Sequence, residues 1–452
     1  MHIENLALQT DFYQITMAAA YHRFGMNGEA TFSLFTHDLP QHRGFLVAAG
    51  LEGVLEVLEN YRYTDEDLAY LRSLGRFRDD FLDFLAGLRF SGEVWAVPEG
   101  TPCFGREPIL EITAPLIEAQ LVETIVINII NLHSTLASKA ARCKLAAGER
   151  TCVDFSLRRT QGLDAGFAAA RSSALVGFAG TSNVAAARIL GLTPVGTMAH
   201  AFVEAFGDEV KAFKAFAATF PKHTVLLVDT YDSTEGLHRA VEVAGELAGQ
   251  GHKLVGVRLD SGELVGMSRR AREIMDEAGL TDAMVVVSGS LDEFRIAELV
   301  SAGAQVDVFG IGTKMGSSAD APYLDFAYKL VSYEGRPTLK LSTGKETWAG
   351  AKQLFRGLDA RGRIARDLMG LRGETLPGRP LLGPVMQDGR RLGAPQDWRA
   401  AHAHYLNEVR ALPEPCLYFQ DPKPVTMQVS PALRETQEKA RQAALAGGYT
   451  AH

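Results

Sequence analysis

Before residue 150 the hydrophobic and polar positions follow no single rhythm. FYQITMAAAYHRFG (12–25) has helical spacing behind Thr10 and Asp11, residue types that cap helix N-termini. ATFSLFTHDLP (30–40) alternates like a strand, and LVAAGLEGVLEVLENY (46–61) repeats like an amphipathic helix. SGEVWAVPEGTPCFGREPILEITAPL (91–116) is strand-rich and broken by Gly and Pro, which predicts antiparallel hairpins or a small sandwich. IEAQLVETIVINIINL (117–132) is the most apolar helix candidate, but it carries Glu118 and Glu123 and is too short to span a bilayer. Residues 1–130 therefore read as an α+β domain.

From about residue 150 the pattern becomes regular. TCVDFSL reads as a buried strand and DAGFAAARSSALVGF as the helix after it. HTVLLVDTYD and STEGLHRAVEVAGELAGQ follow, then KLVGVRLDSG and ELVGMSRRAREIMDEAG, then AMVVVSGS and LDEFRIAELVSAG, and finally VDVFGIGT. Continuous apolar runs that end in polar residues or Gly, each followed by a helix-period segment, predict βα units around a parallel sheet. Their recurrence every 20–30 residues suits a barrel or a doubly wound sheet over 131–334. Residues 335–410 turn irregular, with LKLSTGKETWAGAKQLFR (339–356) reading as a hairpin-like pair that returns to complete the first domain. Residues 411–452 form a C-terminal extension ending in RETQEKARQAALAGGYTAH, a helix with a frayed end.

A chain of 452 residues, 46% hydrophobic and 22% charged, exceeds one core and predicts two domains. The net charge of -8 and a pI near 5.9, without a Lys/Arg block, argue against a nucleic-acid or anionic-membrane surface. SLRRTQ (156–161) remains a local site for a small anion. Cys103, Cys143, Cys152 and Cys416 lack CxxC spacing, which argues against zinc and against a disulfide framework, and suits a reducing cytosol. MHIENLALQTDFYQ has no basic segment followed by an apolar core, so no export signal is expected and the location expected is cytoplasmic.

Polar residues gather just after the apolar runs of the second domain: Asp154 and Arg158, Asp229 and Asp232, Arg258 and Asp260, Ser288 to Ser290, and Gly310 to Thr313. In parallel α/β folds these positions share one rim, where ligands bind. VFGIGTKMG (308–316) is a Gly-rich turn whose amides suit an anion, with Thr313 and Lys314 offering a hydroxyl and a charge; the alternative is an ordinary tight turn. In RLDSG, Arg258 and Asp260 point the same way along a strand, so the guanidinium either holds a carboxylate or phosphate or pairs internally with Asp260. Asp229 and Asp232 are paired carboxylates for sugar hydroxyls or Mg²⁺ through water, although Asp232 reads better as a helix N-cap. Thr181, Ser182 and Asn183 include one cap and leave donors for phosphate or ribose oxygens. In VGTMAHAFVEAF (195–206), His200 stands where a turn becomes a helix, either as a packed half-buried imidazole or as a chemical group.

Together these stretches resemble the nicotinate phosphoribosyltransferase family. The matching segments are collinear from residue 10 to about 355: TDFYQITMAAAY, ATFSLFTHDLP, RGFLVAAGLEGVL, VWAVPEGTPCF, EPILEITAPLIEAQLVET, DFSLRRTQGLDAG, FAGTSNVAAARILG, GTMAHAF, LLVDTYD, VRLDSGEL and VFGIGTK. The resemblance implies an irregular (β/α) barrel of the type II phosphoribosyltransferase kind joined to an α+β domain, in a homodimer with Tyr13 reaching the neighbouring subunit's site. It implies conversion of nicotinate and 5-phosphoribosyl 1-diphosphate to nicotinate mononucleotide and diphosphate in NAD salvage, with ATP as co-substrate and Mg²⁺ as cofactor. His200 is then the residue phosphorylated by ATP, with Asp229 and Asp260 as its catalytic companions. Tyr13, Thr197, Arg258 and Arg158 fall on the nicotinate site. Arg159, Ser182, Gly289, Gly310, Gly312 and Thr313 fall on the phosphoribosyl diphosphate site. Which of Arg158 and Arg159 faces inward stays open.

The chain departs from the family pattern at Ser290, where many relatives are acidic, and at Ala351, where a basic residue is common; nothing is carried over beyond residue 375. One rival is a phosphoribosyltransferase of the same barrel type that uses nicotinamide or quinolinate. A rival of another class is a sugar-phosphate aldolase or isomerase barrel, which needs a Schiff-base lysine or carboxylate base at a strand end. Lys314 is the obvious strand-end lysine, and it belongs to the anion loop. A catalytically dead relative is argued against by His200, Arg258, Asp260 and the 310–313 loop together.

Overall fold

The computed structural model describes residues 6–341 and 347–446, and the chain forms two compact units. One unit is Lys139–Pro322, and the other is built from the described residues on either side of it. The boundary falls inside the 25-residue helix Glu123–Ala147.

The unit outside 139–322 is built on a seven-stranded antiparallel sheet. Its order is Arg336–Pro337, Phe326–Tyr333, Glu29–Thr36, Pro108–Pro115, Glu93–Ala96, Gly383–Gln387, Arg390–Arg391. Leu34, Leu110, Ile112 and Val94 bury completely on it, and Phe32 stacks on Tyr328 at 4.8 Å. Helix Phe12–Arg23 starts at Asp11, but the Asp11 carboxylate does not cap it; it accepts from the Thr124 hydroxyl at 2.9 Å instead. A second sheet orders Arg379–Pro380, Lys352–Leu358, Ile364–Leu371 and Met427–Val429, with Arg356 and Asp367 paired at 2.6 Å in its interior. Part of the pair expected over 339–356, residues 342–346, lies outside the described residues; Lys352–Leu358 takes Ile364–Leu371 as its hairpin partner. The terminal helix is Pro431–Ala446, and the frayed end expected after it also lies outside the described residues.

The other unit is the βα part. Its strands are β1 (Thr151–Asp154), β2 (Gly180–Thr181), β3 (Thr193–Pro194), β4 (Val225–Leu227), β5 (Gly256–Leu259), β6 (Met284–Ser288) and β7 (Val308–Ile311). Most of their side chains bury, because helices cover the outer face and residues fill the inner one. All neighbours run parallel, in the order β3-β2-β1-β7-β6-β5-β4. The last strand therefore pairs with the first, as in a closed barrel. The ladder is broken between β3 and β4, so the barrel is a half-open one. Residues 195–224, including α1 (His200–Phe206) and α2 (Glu209–Thr219), occupy the chain between the two open edges. His200 is the first residue of α1, on the segment that replaces regular barrel closure.

Candidate active site

The C-terminal ends of β1, β5, β6 and β7 surround a solvent-open cleft of about 200 Å³. Arg158 and Arg159 enter from the 3-10 turn after β1, and Arg258 and Asp260 from the end of β5. Ser288, Gly289 and Ser290 come from the end of β6, and Gly310, Gly312 and Thr313 from the end of β7. Three guanidinium groups face one carboxylate, so the cleft is electropositive although the chain is acidic. Both arginines of SLRRTQ line it.

Arg258 is held on several sides. Its Nε donates to the Ser288 hydroxyl at 2.8 Å, one terminal nitrogen donates to Asp260 Oδ1 at 2.7 Å, and the other reaches the Met198 carbonyl at 3.4 Å. Its guanidinium lies 5.3 Å from the centroid of the Phe155 ring. The Ser288 hydroxyl also donates to Asp260 Oδ1 at 2.5 Å. The internal pairing of Arg258 with Asp260 is thus real, and Arg258 still lines the cleft. Burial opposes the charge on Asp260, but the Ser288 hydrogen bond, Arg258 and the nearby His200 outweigh it and hold the carboxyl below its usual range.

Two glycines carry the shape of the rim. Gly289 has φ 93°, and a β-carbon there would run into the Asp260 carbonyl oxygen. At Gly310 a β-carbon would stand 2.6 Å from the Phe155 ring. Phe155 is a site residue that sequence reasoning missed, since an aromatic at the end of an apolar run looks like core. Ser288 was legible only as one member of a polar cluster.

His200, Asp229, Thr197 and Ser182 do not line the cleft itself. His200 Nδ1 is 3.2 Å from the Thr230 hydroxyl, and its Nε2 is 4.0 Å from Asp229 Oδ1. Asp229 is buried; its Oδ2 accepts from the Asp260 backbone N–H at 2.8 Å and the Ser261 hydroxyl at 2.9 Å. Asp229 therefore links the imidazole to the strand end that carries Asp260. Thr197 sits beside Met198, whose carbonyl meets Arg258. Of the 181–183 trio, Thr181 donates to the buried Asp154 carboxylate at 2.7 Å and Asn183 caps the helix Val184–Leu190, leaving Ser182 half-buried. Burial raises the Asp154 carboxyl above its usual range against those hydrogen bonds. Asp232 caps Ser233–Gly249 by accepting from the Glu235 N–H at 2.9 Å. Lys314 points elsewhere: its ammonium pairs with Asp292 at 2.7 Å. Tyr13, in the other unit, is half exposed on Phe12–Arg23.

Among the described residues no three His, Cys, Asp or Glu side chains gather into a metal-holding group, and no helix is long and apolar enough to cross a membrane. The four cysteines are buried and not joined in disulfides.

The chain is similar to known proteins along most of its length. Residues 8–131 match the nicotinate phosphoribosyltransferase (NAPRTase) N-terminal domain, and residues 150–356 match the nicotinate phosphoribosyltransferase (NAPRTase) family. The chain is 51% identical to nicotinate phosphoribosyltransferase pncB2 of Mycobacterium tuberculosis over 85% of its own length and 83% of that protein's. It is 44% identical to nicotinate phosphoribosyltransferase of Bacillus subtilis, over 78% of its own length and 73% of the relative's. The crystal structure of human nicotinic acid phosphoribosyltransferase superposes with a TM-score of 0.86 at 29% identity, covering 95% of this chain and 99% of that one. A half-open barrel with an electropositive rim, an α+β unit beside it in sequence, and collinear relatives across both place this chain in the nicotinate phosphoribosyltransferase family.

Proposed function

We propose that this chain transfers the 5-phosphoribosyl group of 5-phosphoribosyl 1-diphosphate to nicotinate, forming nicotinate mononucleotide and diphosphate as an entry into NAD by salvage. The observation that carries this reading is the cleft in which Arg158, Arg159 and Arg258 converge with two Gly-rich strand ends. Guanidinium groups and close backbone amides recognise phosphate and carboxylate oxygens. Arg258, positioned by Ser288 and Asp260 over Phe155, is the group for the nicotinate carboxylate, beside an aromatic face for the pyridine ring. The 310–313 loop with Thr313 serves the phosphates. In the transfer the ribose C1–oxygen bond to diphosphate breaks and a C1–nitrogen bond to the pyridine forms, so no protein nucleophile is needed. The arginines lower the cost of the charge that leaves with diphosphate.

His200 accepts the γ-phosphoryl group of ATP in this reading, releasing ADP, and water later frees phosphate from the phosphohistidine. The support is its position at the helix start, with Thr230 on Nδ1 and the Asp229 carboxylate facing Nε2. In this reading magnesium enters with the phosphates of the substrates. Tyr13, half exposed, serves the site of a second copy in a homodimer in this reading, and cysteines without CxxC spacing suit the cytoplasm. Nicotinate mononucleotide formed from nicotinate and 5-phosphoribosyl 1-diphosphate, with nicotinamide and quinolinate as competitors, tests the assignment.

A further inference from the structure

The lysine of the 310–313 strand end is not spent on the cleft. Lys314 stands next to Thr313, which lines it, yet its ammonium crosses to Asp292 at 2.7 Å. Asp292 belongs to the neighbouring strand end, two residues after Ser290, which lines the same cleft. The same carboxylate caps the helix Glu293–Ser301 by accepting from the Arg295 N–H at 2.8 Å. Its neighbour Glu293 is fully buried and gripped by Lys139 at 2.5 Å and Arg142 at 2.8 Å. Lys139 also pairs with Asp320 at 2.6 Å. Asp292 is thus a fixed post, while Lys314, with 43% of its side chain exposed, is a tether to it.

Resting on the phosphoribosyl-transfer reading, we propose that Asp292 and Lys314 are positioning residues: their ion pair straps the 288–290 and 310–313 loops together, so that both present their amides to the diphosphate as one surface. Neither side chain touches substrate in this role. A chain of two separately mobile Gly-rich loops would have to order both on binding, which weakens affinity. The strap supplies that order in advance.

Two substitutions test it without disturbing the helix cap. Asp292→Asn keeps an oxygen for the Arg295 N–H but removes the charge, and Lys314→Met keeps the stem but removes the ammonium. Each is expected to raise the KM for 5-phosphoribosyl 1-diphosphate about tenfold, more than it lowers kcat, and the double variant is expected to be no worse than the worse single one, as for partners in one interaction. Hydrogen exchange of the full-length protein without substrate is expected to quicken in both loops in either variant. Multiplicative KM effects, a Lys314→Met defect with Asp292→Asn silent, or exchange that quickens only in the substituted loop would each overturn the strap. The exchange readout needs no turnover, so a protein inactive on nicotinate would defeat the functional reading while still deciding the strap.

Discussion

His200 Nε2 lies 4.0 Å from Oδ1 of Asp229, a buried carboxylate oxygen with no hydrogen-bond partner among the described residues. A buried acceptor left unmatched is costly, and the imidazole faces it from 4.0 Å. A small ring movement would give Asp229 its missing partner and fix one imidazole tautomer, as the phosphohistidine reading requires.

The relationship predicts that His200→Ala abolishes the stimulation of nicotinate mononucleotide formation by ATP while a slow ATP-independent transfer persists. Rates with and without ATP check this. Equal ATP stimulation in variant and parent contradicts the phosphohistidine assignment.

Asp229→Asn retains the shape and the Oδ acceptor for the Asp260 N–H but weakens the hold on the imidazole. ATP-stimulated turnover is expected to fall by about a hundredfold, the scale of losing a well-placed proton partner. The ATP-independent rate is expected to change less. A variant that loses both rates equally argues for a structural role of Asp229 instead.

For Arg258, replacement by Gln is expected to raise the KM for nicotinate by roughly 10–100-fold, because charge-assisted hydrogen bonds contribute about 1.5–3 kcal/mol. It also leaves Asp260 and Ser288 without their shared cation. The KM for nicotinate measured against that for 5-phosphoribosyl 1-diphosphate separates a carboxylate contact from general damage to the cleft.

Gly289→Ala is expected to destabilise the protein by about 1–3 kcal/mol, since φ 93° strains any L side chain and the new methyl meets the Asp260 carbonyl. Urea unfolding reads the loss. A variant as stable as the parent would mean that the loop shifts freely.

Acid sensitivity follows from Asp260, whose folded-state pKa is depressed. Its stabilising contribution is present above the ordinary carboxylate pKa of about 3.9 and is lost as pH falls through the lower folded-state value. Asp260→Asn is therefore expected to lower stability near neutrality and to lose this difference from the parent below about pH 4. Unfolding midpoints between pH 3 and 7, values set by that same range, show whether the two curves converge.

Much of the barrel is readable in the sequence because strands such as Val225–Leu227 and Met284–Ser288 carry apolar side chains toward both faces, so each announces itself as a run. The open edge is not readable. Strand Thr193–Pro194 has two exposed residues and no apolar run, and the missing pairing between it and Val225–Leu227 has no local signal. The rim positions Arg158, Arg159, Arg258, Gly289, Gly310 and Thr313 are legible since a strand end is a sequence feature. What each side chain bonds is not, because partners come from other strand ends. Lys314 shows the limit: beside Thr313 it reads as a phosphate ligand, whereas its partner Asp292 lies 22 residues away. Phe155 shows another, since packing under a guanidinium and packing in a core leave the same mark on a sequence.

The most direct measurement of the central claim is the rate of mononucleotide formation from 5-phosphoribosyl 1-diphosphate and magnesium with nicotinate, nicotinamide or quinolinate in parallel, each with and without ATP. The account predicts turnover with nicotinate, faster with ATP, well above that with the other two pyridines. Preferential turnover of nicotinamide or quinolinate, or none with nicotinate, would contradict it.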